Sequence, residues 1–196
     1  MNGLEAVLRQ AAADLDAVEA RWAVVGALAV SVWTEPRFTR DVDIAVAAAD
    51  DRAAEDLVHR LAGLGYEIVA SVEQEATGRL ATVRLRSGTE PEEAPVLDLL
   101  FASSGIEPEI VRAAEIVEVF PGLRLPVAQA GHLIALKLLS QADARPQDAV
   151  DLLALQPLLE GEEASRASEA VRLITERGYD RGRDLQADLA GWHPKG

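Results

Sequence analysis

Residues 26–43 read G-A-L-A-V-S-V-W-T-E-P-R-F-T-R-D-V-D, and they follow a short apolar stretch, Trp22–Val25, that predicts a strand. Gly26 separates this strand from an apolar segment that predicts a helix over 27–33. Polar and apolar residues then alternate over 41–46, which predicts a second strand. Because side chains alternate between the faces of a strand, Asp41 and Asp43 project to one side, with Cα atoms about 6.5 Å apart.

Paired carboxylates of this kind predict a cation site. Asp41 and Asp43 would repel each other, and a bound cation relieves that repulsion. Hard oxygen ligands with room for substrate phosphates suit Mg²⁺, and Mn²⁺ accepts the same ligands. Asp98 lies in the apolar stretch P-V-L-D-L-L-F, where a buried unpaired carboxylate would be costly, so it faces a cation, a metal or solvent at a sheet edge.

Two further residues suggest phosphate binding. Gly26 joins a strand to a helix, and free N–H groups at a helix start can hold phosphate, although a glycine there also serves a tight turn. Lys137 and Lys195 are the only lysines among 19 basic residues, so Lys137 within L-I-A-L-K-L-L is not background usage. A compact ammonium suits a triphosphate, and the alternative is a lysine that extends its charge to solvent at a helix surface.

The first segment resembles the nucleotidyltransferase superfamily signature, in which a strand, a Gly followed by Ser or Gly, and a short helix precede Asp-x-Asp on the next strand. The spacing of Arg37-x-Thr39 before the acids is most similar to the AbiEii-type branch, the nucleotidyltransferase toxins of type IV toxin–antitoxin pairs. Ala27 departs from the Ser or Gly of the family, but it keeps the backbone N–H at that position.

A second block, within residues 126–155, resembles the C-terminal block of the same branch. It reads L-I-A-L-K-L-L-S and then R-P-Q-D-A-V-D-L-L-A-L. Lys137, Arg145 and Asp148 match the family, whereas Gln147 replaces the usual lysine. Asp148 is expected near the nucleotide or the attacking hydroxyl. Asp151 is explained equally well as a surface acid.

The resemblance implies a site and a reaction. Transfer of a nucleotide from an NTP, with release of pyrophosphate, would use Mg²⁺ or Mn²⁺. The implied acceptor is RNA, at the 3′ end of tRNA, and the implied protein partner is a cognate antitoxin. The expected metal ligands are Asp41, Asp43 and Asp98. The expected catalytic residues are Asp41, Asp43, Lys137 and Asp148. The expected nucleotide-binding residues are Gly26, Ala27, Arg37, Thr39, Arg40, Lys137 and Arg145.

Composition limits the class of protein. The 196 residues are 49% hydrophobic, carry a net charge of −14 and include no cysteine, which suits one domain with a real core and excludes disulfides and Cys-ligated zinc. The acidic charge argues against broad nucleic-acid binding. No secretory signal or apolar run long enough for a membrane is visible, so we expect a cytoplasmic protein without membrane contact.

The order of predicted elements favours an α/β (α+β) nucleotidyltransferase fold. Residues 1–127 are predicted to form an α/β domain with a mixed sheet, and residues 128–196 a helical part that packs on it. A cleft between the two would be the ligand site. Two alternatives stay open: a small-molecule nucleotidyltransferase of the aminoglycoside type, which the low pI would suit, and a non-catalytic member that binds nucleotide or a partner.

Overall fold

The computed structural model describes residues 3–87, 95–141 and 146–192. Helices and strands are interspersed up to residue 127, and every described element beyond it is a helix. The helices are α1 (Gly3–Ala17), α2 (Gly26–Trp33), α3 (Asp51–Gly63), α4 (Glu107–Ala113), α5 (Ala130–Ser140), α6 (Pro146–Leu155), α7 (Gly161–Glu176) and α8 (Leu185–Trp192), with a 3₁₀ turn at Gln156–Leu158. The strands are β1 (Trp22–Val25), β2 (Val42–Val46), β3 (Tyr66–Glu73), β4 (Leu80–Ser87), β5 (Leu97–Leu100), β6 (Glu115–Phe120) and β7 (Leu123–Val127).

These seven strands form one mixed sheet in the order β3-β4-β5-β2-β1-β7-β6. The pairs β2–β5 and β1–β7 are parallel, and the other neighbours are antiparallel. Strands β1, β2 and β5 lie in the interior of the sheet, and almost all of their side chains are buried. The predicted mixed α/β fold is therefore confirmed.

Helices α1 and α3 illustrate how local sequence features favour helix formation. On α1, Leu4, Leu8, Ala11 and Leu15 are buried along one stripe, and burying a leucine fully contributes about 1.5–3 kcal/mol. The carboxylate of Asp50 accepts a hydrogen bond from the N–H of Ala53 and caps α3, as its position before that helix predicts.

Three details differ from the sequence prediction. Asp41 lies just before β2, which begins at Val42, so it belongs to the incoming loop. The helix after β1 begins at Gly26, one residue earlier than predicted. Asp98 lies on β5, which is hydrogen-bonded to β2 on one side and β4 on the other, so the interpretation of Asp98 as a sheet-edge residue is wrong.

Helix α2 joins the sheet to the C-terminal helices. It packs on β1 and β2 and also contacts α5 and α6, while α5 packs against α6, α7 and α8. The first turn of α2 therefore lies where the sheet meets the helical part. The division of the chain at residue 127 stays a prediction. Within the described ranges, no helix is both long and apolar enough to cross a membrane.

Candidate active site

Three polar side chains and one turn lie in a single row across four strands. In the sheet register, Val25 of β1 pairs with Asp43, Asp43 pairs with Asp98, and Asp98 pairs with Arg84 of β4. Neighbouring strands are about 4.8 Å apart, so side chains of one row that share a face are in reach of each other. Gly26 follows Val25 directly. We call Asp43 and Asp98 with Arg84 the acid row.

Gly26 is required by the close approach of Asp43. Its φ is +65°, in the left-handed region, and a Cβ at this position would lie 2.0 Å from Oδ2 of Asp43. Any larger residue would displace the carboxylate. Val25 is the N-cap of α2 and provides no side-chain acceptor. The first N–H groups of the helix, those of Gly26 and Ala27 among them, therefore lie beside the acid row without a capping side chain.

The carboxyl group of Asp43 is unusually hard to ionise. Its pKa is raised to about 6, chiefly by burial and in addition by the negative charges of Asp98 and Asp41, while Lys137 and Arg84 act in the opposite direction. Repulsion between neighbouring acids is the electrostatic signature of a site that a cation would stabilise.

Asp98 holds the guanidinium of Arg84 in a two-pronged ion pair. Nε and Nη2 of Arg84 donate to the two carboxylate oxygens at 2.8 and 2.7 Å, and these bonds raise the pKa of the guanidinium. The sequence prediction did not include Arg84. The sequence feature that could have identified Arg84 is the alternation of β4, where Thr82 and Arg84 lie on the face opposite the buried Val83 and Leu85.

Lys137 lies between two carboxylates instead of at a helix surface. Its Nζ is 2.7 Å from Oδ1 of Asp148 and 2.8 Å from Oδ2 of Asp151, and only 13% of the side chain is exposed. The second oxygen of Asp148 accepts a hydrogen bond from Ser140 at 3.1 Å. The alternative of a lysine that extends to solvent is therefore wrong, and the charge of Lys137 is already compensated.

The interpretation of Asp151 as a surface acid is also wrong. Its side chain is 1% exposed, and it accepts bonds from Nε and Nη2 of Arg37 at 2.6 and 2.8 Å. Burial alone would raise the pKa of Asp151, but the bonds from Arg37 and Lys137 outweigh burial and lower it. Asp151 thus ties the loop before β2, which carries Arg37 and Asp41, to the helix α6.

The other predicted nucleotide-binding residues divide into two groups. Thr39 donates to the backbone carbonyl of Asp41 at 3.4 Å and so contacts the loop of the acids. Arg40 is exposed, and its guanidinium lies 5.8 Å from the centre of the Phe38 ring, so the structure does not gather it with the acid row. Arg145 lies outside the described residues.

A cavity of about 810 Å³ opens in front of the acid row, between the sheet and helices α5 and α6. This is the cleft that the order of elements predicts. Its wall includes Gly26, Asp43, Arg84, Asp98, Lys137 and Asp148, and it continues along β3 and β4 to Glu73 and Glu75. Most of the predicted catalytic residues therefore line one space.

The donor set suits a hard divalent cation. Asp43 and Asp98 are adjacent in register and line the cavity, and Asp41 precedes the same strand by one residue. Within the part of the chain that the structure describes, no three acidic, His or Cys side chains converge on a common point that would hold a metal ion. Burial is the main cause of the raised pKa of Asp43, and the charges of Asp98 and Asp41 add to it, so a cation bound beside these acids would relieve their repulsion.

Comparison with known proteins agrees with this geometry. The family model of the nucleotidyl transferase AbiEii toxin of type IV toxin–antitoxin systems matches residues 8–194. No curated protein sequence matches the chain. An antigenic nucleotidyltransferase-like protein from Paracoccidioides brasiliensis has a TM-score of 0.54 at 17% identity, covering 96% of this chain and 93% of that chain.

Two further solved structures are similar at lower scores. The lincosamide antibiotic adenylyltransferase LnuA, in its lincomycin-bound structure, has a TM-score of 0.46 at 15% identity and covers 79% of this chain and 94% of its own. The antibiotic-resistance factor ANT(2″)-Ia has a TM-score of 0.49 at 15% identity, with 97% and 94% covered.

The family match extends over almost the whole chain and includes every residue of the acid row, together with Arg37, Lys137, Asp148 and Asp151. The likeness to the Paracoccidioides brasiliensis protein independently shows the nucleotidyltransferase fold. From these findings, the chain is a nucleotidyltransferase and belongs to the AbiEii family of toxins from type IV toxin–antitoxin systems.

Proposed function

We propose that this protein transfers a nucleoside monophosphate from an NTP to a hydroxyl group of RNA, at the 3′ end of tRNA, with Mg²⁺ or Mn²⁺ as cofactor. The observation that carries the proposal is the pairing of Asp43 with Asp98 in register, opposite the start of α2 and inside the cavity. The family further implies that a cognate antitoxin binds the protein.

Asp41, Asp43 and Asp98 are the residues that would hold the metal. When bound, the ion would polarise the α-phosphate, lower the pKa of the acceptor hydroxyl and neutralise charge on the leaving pyrophosphate. Asp41 and Asp43 come from one loop and strand, whereas Asp98 comes from the parallel neighbour. This rigid support suits a site whose reaction depends on the exact position of the phosphate.

Backbone N–H groups at the start of α2 would bind phosphate oxygens. The helix begins at Gly26 beside Asp43, and Val25 contributes no side-chain cap. The positive end of the helix dipole points to this region. Ala27 provides its N–H but no hydroxyl, so this contact depends on the backbone alone.

Lys137 and Asp148 would act together on the side of the cavity formed by α5 and α6. The Lys137 ammonium is shared by Asp148 and Asp151, and in this proposal it exchanges its bond to Asp148 for one to the triphosphate. That exchange would free the Asp148 carboxylate to accept a proton from the attacking hydroxyl. Arg37 would keep Asp151 in place throughout.

A second candidate is transfer to a cationic small molecule. The cavity is lined by the carboxylates of Asp43, Glu73, Glu75, Asp98 and Asp148 and by three basic side chains, Arg84, Lys137 and Arg181. Arg84 and Lys137 are already paired with acids of the same cavity. An acidic lining favours a cationic acceptor over a polyanion. The non-catalytic alternative is not favoured, because the family is one of nucleotidyltransferases.

One experiment separates these candidates. The purified chain would be incubated with each α-labelled NTP and Mg²⁺ or Mn²⁺, either with total RNA or with a set of aminoglycosides and other polyamines. We expect label in the tRNA fraction with wild-type protein and none with the Asp43→Asn variant. Label only in the small-molecule fraction would support the second candidate, and label in neither fraction would contradict both.

A further inference from the structure

Arg84 stands at one end of the acid row. It lies on β4 opposite Asp98, which in turn lies beside Asp43, so one guanidinium and two carboxylates follow each other across three strands. All three side chains line the same cavity. The guanidinium bonds at 2.8 and 2.7 Å occupy one lone pair on each oxygen of Asp98.

The ion pair is not needed to hold β4 against β5. These strands pair through their backbones over Thr82–Leu100 to Leu85–Leu97, and Val83 and Leu85 are buried against the core. The Arg84 side chain is 43% exposed, whereas that of Asp98 is 12% exposed. The arginine therefore has room to move within the cavity, and the carboxylate is fixed on an interior strand.

Arg84 and a divalent cation compete for the same carboxylate. A metal ion on Asp98 would place two positive charges beside the guanidinium, and their repulsion would weaken the bond between Arg84 and Asp98. We propose that Arg84 is an exchangeable counterion of the acid row, which leaves Asp98 when a divalent cation binds and then contacts the triphosphate of the nucleotide.

The charges of the cavity explain why a second cation beside Lys137 would favour binding of the triphosphate. Lys137 is shared by Asp148 and Asp151, so its charge is compensated at the site. A guanidinium released from Asp98 stays in the same cavity, and its planar donors match two phosphate oxygens. The inference rests on the proposed function, because it assumes a metal ion and a nucleotide in this cavity.

The test compares Arg84→Gln with Arg79→Gln. The second variant removes the same charge from the residue directly before β4. Arg79 pairs with Asp51 at 3.1 Å and does not line the cavity. Isothermal titration would measure the binding of Mn²⁺ to each full-length protein without nucleotide. A second titration, at saturating Mn²⁺, would measure the binding of the α,β-methylene analogues of the four common NTPs.

We expect Arg84→Gln to bind Mn²⁺ about three to ten times more tightly than wild type, since a partly exposed ion pair no longer competes. The same variant should bind its NTP analogue at least about ten times more weakly, because a charge-assisted phosphate contact is lost. Arg79→Gln should match wild type in both titrations. A merely structural arginine would not move the two affinities in opposite directions.

Unchanged or weaker Mn²⁺ binding by Arg84→Gln, or unchanged binding of the analogue, would overturn the exchange while leaving the proposed function intact. Failure of the wild-type protein to bind Mn²⁺ with or without nucleotide would overturn both. Circular dichroism would check folding. If Arg84→Gln does not fold, Arg84→Lys replaces it: lysine keeps the charge but loses the second prong, so Mn²⁺ binding equal to wild type would refute the competition.

Discussion

Replacing Asp43 with asparagine should abolish transfer and, without metal, make the protein more stable at neutral pH. The carboxyl pKa rises from 3.8 to about 6 in the folded protein. Each unit corresponds to about 1.4 kcal/mol, so the ionised group costs the fold up to about 3 kcal/mol. Since the cavity admits solvent to this carboxylate, we expect Asp43→Asn to raise the free energy of unfolding by about 1–2 kcal/mol at pH 7.5.

The pH dependence gives this prediction its sign. A carboxyl group whose folded pKa is raised ionises more readily in the unfolded chain, so its cost is fully present above about pH 6. The cost is lost as the pH falls through 6 toward 3.8, where the folded and then the unfolded group become protonated. The advantage of Asp43→Asn should therefore be large at pH 7.5 and mostly absent at pH 4.

Urea unfolding, followed by circular dichroism in the presence of EDTA at both pH values, would measure the difference. Asp98→Asn is the matched control on the neighbouring strand, and its effect should have the opposite sign. It loses the two bonds from Arg84, whose 43% exposure limits the loss to about 0.5–1 kcal/mol. A destabilised Asp43→Asn, or a gain independent of pH, would refute the electrostatic reasoning.

Four other changes test the rest of the structure. Gly26→Ala places a Cβ 2.0 Å from Oδ2 of Asp43. We therefore expect kcat in the labelling assay to fall at least about 100-fold while the circular dichroism spectrum stays normal. Retained activity would show that the turn tolerates a side chain. Asp151→Asn weakens a buried ion-pair network and should lower the free energy of unfolding in urea by about 2–4 kcal/mol, whereas a loss under about 0.5 kcal/mol would contradict its buried role. Lys137→Ala should raise the KM for NTP and lower kcat. It should also lower the free energy of unfolding by about 2–4 kcal/mol, because two buried carboxylates lose a partner. Full activity of this variant would contradict a role for Lys137 in the site. Outside the site, His132 is buried on α5. Burial lowers its pKa to about 4, so between pH 6.5 and pH 4 wild type should lose about 2–3 kcal/mol relative to His132→Leu, and a pH-independent difference would refute the burial of a neutral imidazole.

The local pattern of the chain determined most of the secondary structure and part of the site. Alternation around Asp43 predicted β2, and Gly26 between two apolar segments predicted the turn into α2, because these features depend on residues a few positions apart. The scarcity of lysine identified Lys137 as unusual, and the structure places it in the cavity wall. None of these inferences required knowledge of which strands are neighbours.

Contacts between distant segments required the tertiary structure. Arg37 and Asp151 are 114 positions apart, and no local periodicity distinguishes this buried acid from an exposed one on α6. The pairing of Arg84 with Asp98 depends on β4 and β5 being antiparallel neighbours, a consequence of sheet order. The sequence by itself determined which residues carry charge, where most strands and helices form, and the Asp-x-Asp pair. Only the folded sheet and the packing of α5 and α6 decided which of those charges neutralise each other, because electrostatic partners are set by distance and burial in space.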